Sequence, residues 1–412
     1  MDAADPGPAD ARPLGLYLHI PFCARKCAYC DFNTYAGMEP LFEPFVQALC
    51  QEIDLAAQAH GERPVDTVFI GGGTPTVLSP AQLRRILGRL RQAFHLSPEV
   101  EITVEANPGS GDRERFAALA EEGVNRVSIG SQSFQDEELR FLGRIHGAAE
   151  PALAVEAARA AGIARLNLDL IFGLPGQPLQ AWEQSLEAAL ALAPEHLSLY
   201  SLIVEAGTPL AAWVAEGRVA APDPDLAADH YALAQERLAA AGYLQYEISN
   251  WAKAPAAGRP LGDWETPPQA SRHNLRYWRN QDYLGLGPGA HGALHQPAGP
   301  GRAHRLRRSW NLRPVPDYLR RLAEGRLSEE DGEWVEGGSA MAETLMLGLR
   351  LLREGLAWAD FQALHGVDAR TVYAAPLAEL TSWGLIEDGG PRLRLSARAV
   401  PVANQVFSRF LP

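Results

Sequence analysis

From Leu14 to about Asn250 the chain alternates short apolar runs with longer segments of helical period, and this alternation narrows the fold more than any other feature. Six such units follow one another, with strands expected near 16–20, 67–70, 101–105, 126–129, 166–171 and 197–202. A helix follows each, for example over 80–94 and 178–192. Ser79 before Pro80 reads as a helix N-cap, with proline in the first turn, where a missing N–H is lost at no cost. Strands joined by helical crossovers run parallel. They form either an open doubly wound sheet or a barrel, and six like units in line favour an incomplete (β/α)6-type barrel of the α/β class. In both, the C-terminal strand ends face the active site.

Those ends are where polar and glycine residues collect. They read His19, then Gly71-Gly72-Gly73-Thr74-Pro75, Glu105-Ala106-Asn107-Pro108, Ser131-Gln132-Ser133, Asp169 and Tyr200-Ser201. After the first strand, Cys23, Cys27 and Cys30 fall within eight residues, while Cys50 sits in an apolar helical stretch and reads as core. Three thiolates on one loop can converge on a metal centre and leave one coordination position free. An iron–sulfur cube with an open iron fits best, and zinc with His19 as fourth ligand is the runner-up.

The remaining sequence sets limits. At 412 residues there is room for two or three domains of about 150 residues. With 47% hydrophobic and 21% charged residues, collagen-like, disordered and coiled-coil classes are excluded. The Ala/Leu-rich stretch before Glu195 is broken by Pro194 and is shorter than the roughly 20 residues of a membrane span. The first residues lack the basic and apolar regions of a signal peptide, so a disordered segment over 1–13 and a cytoplasmic protein are expected.

A net charge of −13 argues against nucleic-acid binding. Between Arg259 and Arg308, however, eight arginines face three acids, a basic island on an acidic protein. Residues 253–312, which open on a Pro/Gly-rich stretch, read as a linker carrying a further binding segment; 313–412 read as helices followed by a hairpin at Gly389-Gly390, a winged-helix-like domain. Acids outnumber arginines in that domain, so a structural or protein-binding role is expected of it.

The stretch from His19-Ile20-Pro21-Phe22-Cys23 to Cys30-Asp31-Phe32 resembles the cluster motif of radical S-adenosylmethionine enzymes, in the branch of the oxygen-independent coproporphyrinogen oxidases. It is joined in order by Gly71 to Pro75, Glu105 to Pro108, Ser131-Gln132-Ser133-Phe134, Asp169 to Gly176 and Gly287-Pro288-Gly289-Ala290-His291. The last stretch also satisfies GxGxxG, but without a following βαβ unit it reads as a tight turn over the cofactor. Two positions separate subfamilies. The oxidases carry a further Cys where this chain has Phe32, whereas Cys-Asp-Phe resembles the HemW family of haem chaperones. His273-Asn274-Leu275-Arg276-Tyr277-Trp278 matches the HNxxYW motif of that family.

The resemblance implies a radical S-adenosylmethionine partial barrel over 14–252, a 4Fe-4S cluster on Cys23, Cys27 and Cys30, and S-adenosylmethionine and haem as further ligands. Tyr17 and Tyr29 would flank S-adenosylmethionine, Gly73 and Thr74 would hold its amino end, and Arg144 its carboxylate. Glu105, Gln132 and Asp169 would reach methionine or ribose groups, with Ser201, Ala290 and His291 on the adenine side. His273, Asn274, Tyr277 and Trp278 are the implied haem-binding residues. An imidazole, two aromatic rings and neighbouring cations suit a ferric haem, so His273 is the expected axial ligand, with some of Arg276, Arg279, Arg305, Arg307 and Arg308 at the propionates.

The implied function is binding of haem and its delivery to client haemoproteins, respiratory enzymes being the expected class, without the oxidase reaction. Membrane association would be at most peripheral, and the expectation leaves monomer and homodimer both open. The coproporphyrinogen III oxidase itself is the alternative, and a zinc-bound winged-helix regulator a remote third.

Overall fold

The computed structural model describes residues 12–110, 113–255, 260–297 and 304–411. Most of the expected disordered segment, together with Arg259 and Arg302 of the basic island, lies outside the described residues.

The six expected units form. β1 (Leu14–Ile20), β2 (Val65–Gly72), β3 (Leu96–Ala106), β4 (Arg126–Gln132), β5 (Arg165–Phe172) and β6 (His196–Ser201) lie side by side in sequence order, each parallel to the next. A period of two separates their faces. Leu16, Leu18, Val68, Ile70, Ile102, Val104, Val127, Ile129, Leu168 and Leu197 are buried in one continuous core with the helices, among them Phe42–His60, Pro80–Ala93 and Leu179–Ala191. The opposite face carries Tyr17, Phe69, Glu105, Ser128, Asp169 and Ser198. Ser79 caps the helix Pro80–Ala93 reciprocally, accepting from the Gln82 N–H at 3.3 Å while the Gln82 side chain accepts from its own N–H at 3.0 Å.

The sheet does not stop at six strands. β7 (Tyr243–Glu247) and β8 (Asn250–Lys253) extend it antiparallel beyond β6. On the other edge β9 (Tyr283–Leu286) runs parallel to β1, and β10 (His291–Pro297), β11 (His304–Asn311) and β12 (Glu329–Val335) follow antiparallel, so the described sheet has twelve strands and is open. Much of the segment expected as linker is therefore sheet, and the sheet continues past the boundary expected at 313. Charge pairing across these strands substitutes for apolar alternation: Arg307 meets Glu329 at 2.9 Å and Arg308 meets Glu333 at 3.1 Å, while Leu306 and Val335 turn inward.

A second core follows, in which Leu345, Leu349, Phe361, Leu380, Leu393 and Phe410 are buried together. Helices from Gly337–Leu349 to Ala374–Ser382 pack there on a small antiparallel sheet of β13 (Leu356–Ala357), β14 (Ile386–Asp388) and β15 (Arg392–Leu395). The expected Gly389-Gly390 turn joins the last two strands, with Gly390 at φ 86°. This is a helical, winged-helix-like arrangement.

Candidate functional site: the barrel mouth

The C-terminal ends of β2 to β6, the loop after β1 and part of the second core surround one cavity of about 850 Å³. The loop after β1 is pinned by backbone bonds: the Cys23 N–H donates to Tyr35 O at 2.9 Å, and the Tyr35 N–H to Pro21 O at 2.7 Å. Beneath it the Phe22 ring packs on Phe42 and Phe45 at 4.5 and 5.0 Å. Cys23, Cys27 and Cys30 are free, half-buried and all face the cavity. Thr74 Oγ1 reaches Cys23 Sγ at 3.7 Å and Arg144 Nη1 reaches Cys27 Sγ at 3.4 Å. Burial raises the Cys23 and Cys30 thiols above the usual range. Cys50 stands apart, on the helix Phe42–His60.

The glycine loop after β2 must lie close to the cysteine loop. A Cβ on Gly73 would stand 2.5 Å from Phe22 O, so only glycine fits there. Across it, Glu105 Oε2 accepts the Gly72 N–H at 3.0 Å. Burial, followed by the charge of Asp169, pushes the Glu105 carboxyl up to about 8. Asp169 accepts from Ser128 Oγ and from Asn167 Nδ2, both at 2.8 Å. Its carboxyl is raised as well, chiefly by burial.

Behind Asp169 the hydrogen bonds continue in one direction. Asn167 Oδ1 accepts from His196 Nδ1 at 2.6 Å, His196 Nε2 accepts from the Tyr246 hydroxyl at 2.8 Å, and that oxygen accepts the Ser271 N–H at 3.2 Å. Burial keeps His196 neutral, as this direction requires.

Arg144 donates to Gly130 O at 2.7 Å, yet its buried Nε has no partner among the described residues. Gln132 sits at φ 65°, a left-handed conformation that a non-glycine residue holds only under constraint.

The structure thus brings Cys23, Cys27, Cys30, Tyr29, Gly73, Thr74, Glu105, Gln132, Arg144, Asp169 and Ser201 to one cavity. Tyr17, Ala290 and His291 are not on its wall. Tyr17 donates its hydroxyl to His19 Nδ1 at 3.0 Å and stacks on Phe69. Ala290 is buried and His291 lies beside Trp310, because the turn at Gly287–Gly289 folds onto the cysteine loop, where Asn33 Nδ2 donates to Pro288 O at 3.0 Å. That turn closes over Asn33 and not over the cavity. His19 is no fourth metal ligand either, since its Nε2 donates to Asn33 O at 2.9 Å while Nδ1 accepts from Tyr17. Among the described residues no group of three His, Cys, Asp or Glu side chains is assembled to hold a single metal ion.

The HNxxYW segment is placed differently from the expectation. It is the helix Arg272–Trp278, N-capped by Ser271, and it closes the barrel floor. His273 is 0% exposed; Nδ1 bonds Thr67 Oγ1 at 3.0 Å and Nε2 bonds the Tyr277 hydroxyl at 2.9 Å. With both ring nitrogens engaged, this imidazole is not available as an axial haem ligand. Asn274, Tyr277 and Trp278 are half-buried in the same helix, and Trp278 is covered by the Arg350 guanidinium at 4.2 Å. Most of the basic island is likewise engaged: Arg276 is buried against Asp66, Arg279 pairs with Glu354 at 2.6 Å, and Arg308 pairs with Glu333 and Glu343, whereas Arg305 lies over the Trp334 ring, 3.8 Å from Glu336, with its Nε unpaired among the described residues.

Ser128, Asn167, Tyr231 and Arg350 escape the sequence reading. Ser128 and Asn167 share strand parity with Gln132 and Asp169, a signal that period-two counting could have used. Arg350 reaches the cavity from the second core, and nothing in its local sequence marks it.

Known proteins agree with this geometry. Residues 17–189 match the model of the Radical SAM superfamily, and 339–402 that of the HemN C-terminal domain. The chain is 37% identical over 409 residues to the heme chaperone HemW of Mycobacterium tuberculosis, covering 98% of this chain and 96% of that one. It is 37% identical over 402 residues to the heme chaperone HemW of Escherichia coli, covering 97% and 98%. Among solved structures it resembles the coproporphyrinogen III oxidase HemN of Escherichia coli, a radical SAM enzyme, with a TM-score of 0.78 over 97% of this chain and 90% of that one; at 23% identity this speaks for the fold. Identity sustained over almost the whole length of both HemW chains, on a barrel whose mouth gathers the cysteine loop and the glycine loop, means that the chain belongs to the HemW family of the radical SAM superfamily.

Proposed function

We propose that this protein is a haem chaperone: it holds a 4Fe-4S cluster on Cys23, Cys27 and Cys30, binds S-adenosylmethionine beside it, and delivers haem to client haemoproteins in the cytoplasm. The observation that carries the reading is the mouth itself, where three free thiols face a cavity together with an arginine whose Nε is unpaired. A carboxylate brought to Arg144 would satisfy that nitrogen through a charge-assisted bond. Glu105 and Asp169 favour a cationic ligand, because a positive charge beside them offsets the burial that raises both carboxyls and the Asp169 charge that raises Glu105 further. Thr74 and Tyr29 complete the wall beside the thiols. When bound, the cluster supplies electrons and an open iron to which a small ligand can attach.

Phe32 supports the chaperone over the oxidase, since it stands 62% exposed at the cavity edge where the oxidases carry cysteine. Respiratory enzymes remain the proposed clients. Membrane association, where it occurs, is peripheral; no helix of the described residues is long and apolar enough to cross a bilayer.

The test is an optical spectrum of the anaerobically reconstituted protein with and without haemin. A broad cluster band plus a Soret band is expected, and with coproporphyrinogen III, reductant and S-adenosylmethionine no protoporphyrinogen should form. Robust turnover assigns the chain to the oxidase reaction, and absence of a Soret band removes the haem.

A further inference from the structure

Besides the thiols, Gly73, Glu105 and Asp169, the lining of the cavity includes the apolar side chains of Phe32, Tyr200, Ile203 and Tyr231 and, from the second core, Val400 and Pro401. Ile203 is 64% exposed, more so even than Phe32. Exposed apolar side chains clustered at a cavity edge mark a contact surface for something apolar. At about 850 Å³ the cavity lies toward the upper end of small-molecule sites, and its lining extends from the thiols to the second core.

Arg350, at the end of the helix Gly337–Leu349, lines the cavity from the second core, as Arg25, Lys26 and Arg144 do from the barrel; Lys26 is turned to Phe32 O and Thr34 O and Arg144 to Gly130 O. Its guanidinium rests 4.2 Å from the centre of the Trp278 ring, a cation–π contact that fixes its position. Its bond to Glu247 is long, at 3.4 Å, and Glu247 already accepts from the Ser249 N–H at 2.9 Å and from Asn250 Nδ2. The buried Arg350 Nε has no partner among the described residues, and the side chain as a whole is 24% exposed. Arg279 and Arg308 close their pairs at 2.6 to 3.1 Å, whereas Arg350 is held in place with donors left over.

We propose that Arg350 is the receptor for a propionate carboxylate of the haem, whose macrocycle lies against Phe32, Tyr200, Ile203, Val400 and Pro401; this rests on the haem-chaperone reading above. A guanidinium offers a carboxylate two parallel N–H bonds, which an ammonium or an amide cannot. The placement also gives the HNxxYW segment a part that does not need the buried His273: Trp278 supports Arg350 from below.

The full-length protein, titrated at the Soret band with haemin and with haemin dimethyl ester, tests this. Wild type should bind haemin about tenfold or more tightly than the ester, the size of one charge-assisted bond. Arg350→Gln should erase that preference by weakening haemin alone, and its unchanged ester affinity will show that the cavity is intact. Arg350→Lys should restore only part of the preference. Ile203→Asp should weaken both ligands alike. If haemin binds and Arg350→Gln keeps the full preference, Arg350 is not the receptor and the chaperone reading survives. If Ile203→Asp alters neither ligand, the macrocycle lies elsewhere. If haemin fails to bind wild type, the chaperone reading falls and this proposal with it.

Discussion

The floor and the mouth of the barrel are built from the same strands, but His273 and Arg276 at the floor are fully engaged where Arg144 and Arg350 at the mouth are not. At the floor, both His273 nitrogens are bonded, and Arg276 donates to Thr67 Oγ1, to Pro13 O, to Asp282 O and to Asp66, with only 2% of its surface exposed. Gly15 leaves room for that guanidinium, since a Cβ there would stand 2.4 Å from Arg276 Cδ. At the mouth, Arg144 and Arg350 each leave an Nε unpaired, two carboxyls repel one another, and Phe32 and Ile203 face outward. Unpaired buried atoms occur at both ends, since Trp278 Nε1 and Arg165 Nε also lack partners among the described residues; what sets the mouth apart is that its arginines line an open cavity. A motif of histidine, tyrosine and tryptophan can close a floor or serve a ligand, and the hydrogen bonds decide which.

If the contrast holds, floor substitutions cost stability and mouth substitutions cost binding. Arg276→Met should have the largest effect, about 3–5 kcal/mol lost in urea unfolding, because it strips a buried partner from Asp66 and two carbonyls. His273→Ala should lose about 2–4 kcal/mol through the cavity it leaves and the two hydrogen bonds, to Thr67 and Tyr277, that it removes, while haemin affinity stays within about twofold. A lost Soret band with unchanged stability would break the comparison and return His273 to the iron. Arg144→Ala should do the reverse: calorimetry should find S-adenosylmethionine bound about tenfold or more weakly, with stability changed by less than about 1 kcal/mol.

A smaller effect concerns pH. Burial, followed by the charges of Arg276 and Arg126, holds the His273 imidazole down at about 3. It stays neutral in the fold but takes a proton near 6.5 once unfolded, so its contribution is fully present above pH ~6.5 and is lost as pH falls toward 3. His146, held at about 4 by burial and by Arg144, adds a similar loss. In His273→Ala the fall in unfolding free energy between pH 6.5 and 4 should be shallower than in wild type; equal slopes would mean that His273 is not a neutral floor residue.

The parallel strands were legible because their outer faces are apolar at every second position, as in Leu166, Leu168 and Leu170. The antiparallel flank was not, since β11 and β12 are held by arginine–glutamate pairs that leave almost no apolar period. The cysteine and glycine loops were legible as local motifs. Ala290 and His291 were misplaced because order along the chain does not say toward which side a turn folds. His273, Arg276 and Tyr277 are spaced at i, i+3 and i+4, a one-sided helical pattern that pointed to burial. Arg350 lies some 150 residues beyond the last cavity strand, a distance only the fold closes.

Electron paramagnetic resonance of the reduced, anaerobically reconstituted protein decides whether the mouth holds an iron–sulfur cluster with an iron open to S-adenosylmethionine. A cluster signal should appear that shifts when S-adenosylmethionine is added, persists in Cys50→Ala and vanishes in Cys27→Ala. Stoichiometric zinc in place of iron, or a cluster signal indifferent to S-adenosylmethionine, would contradict that assignment.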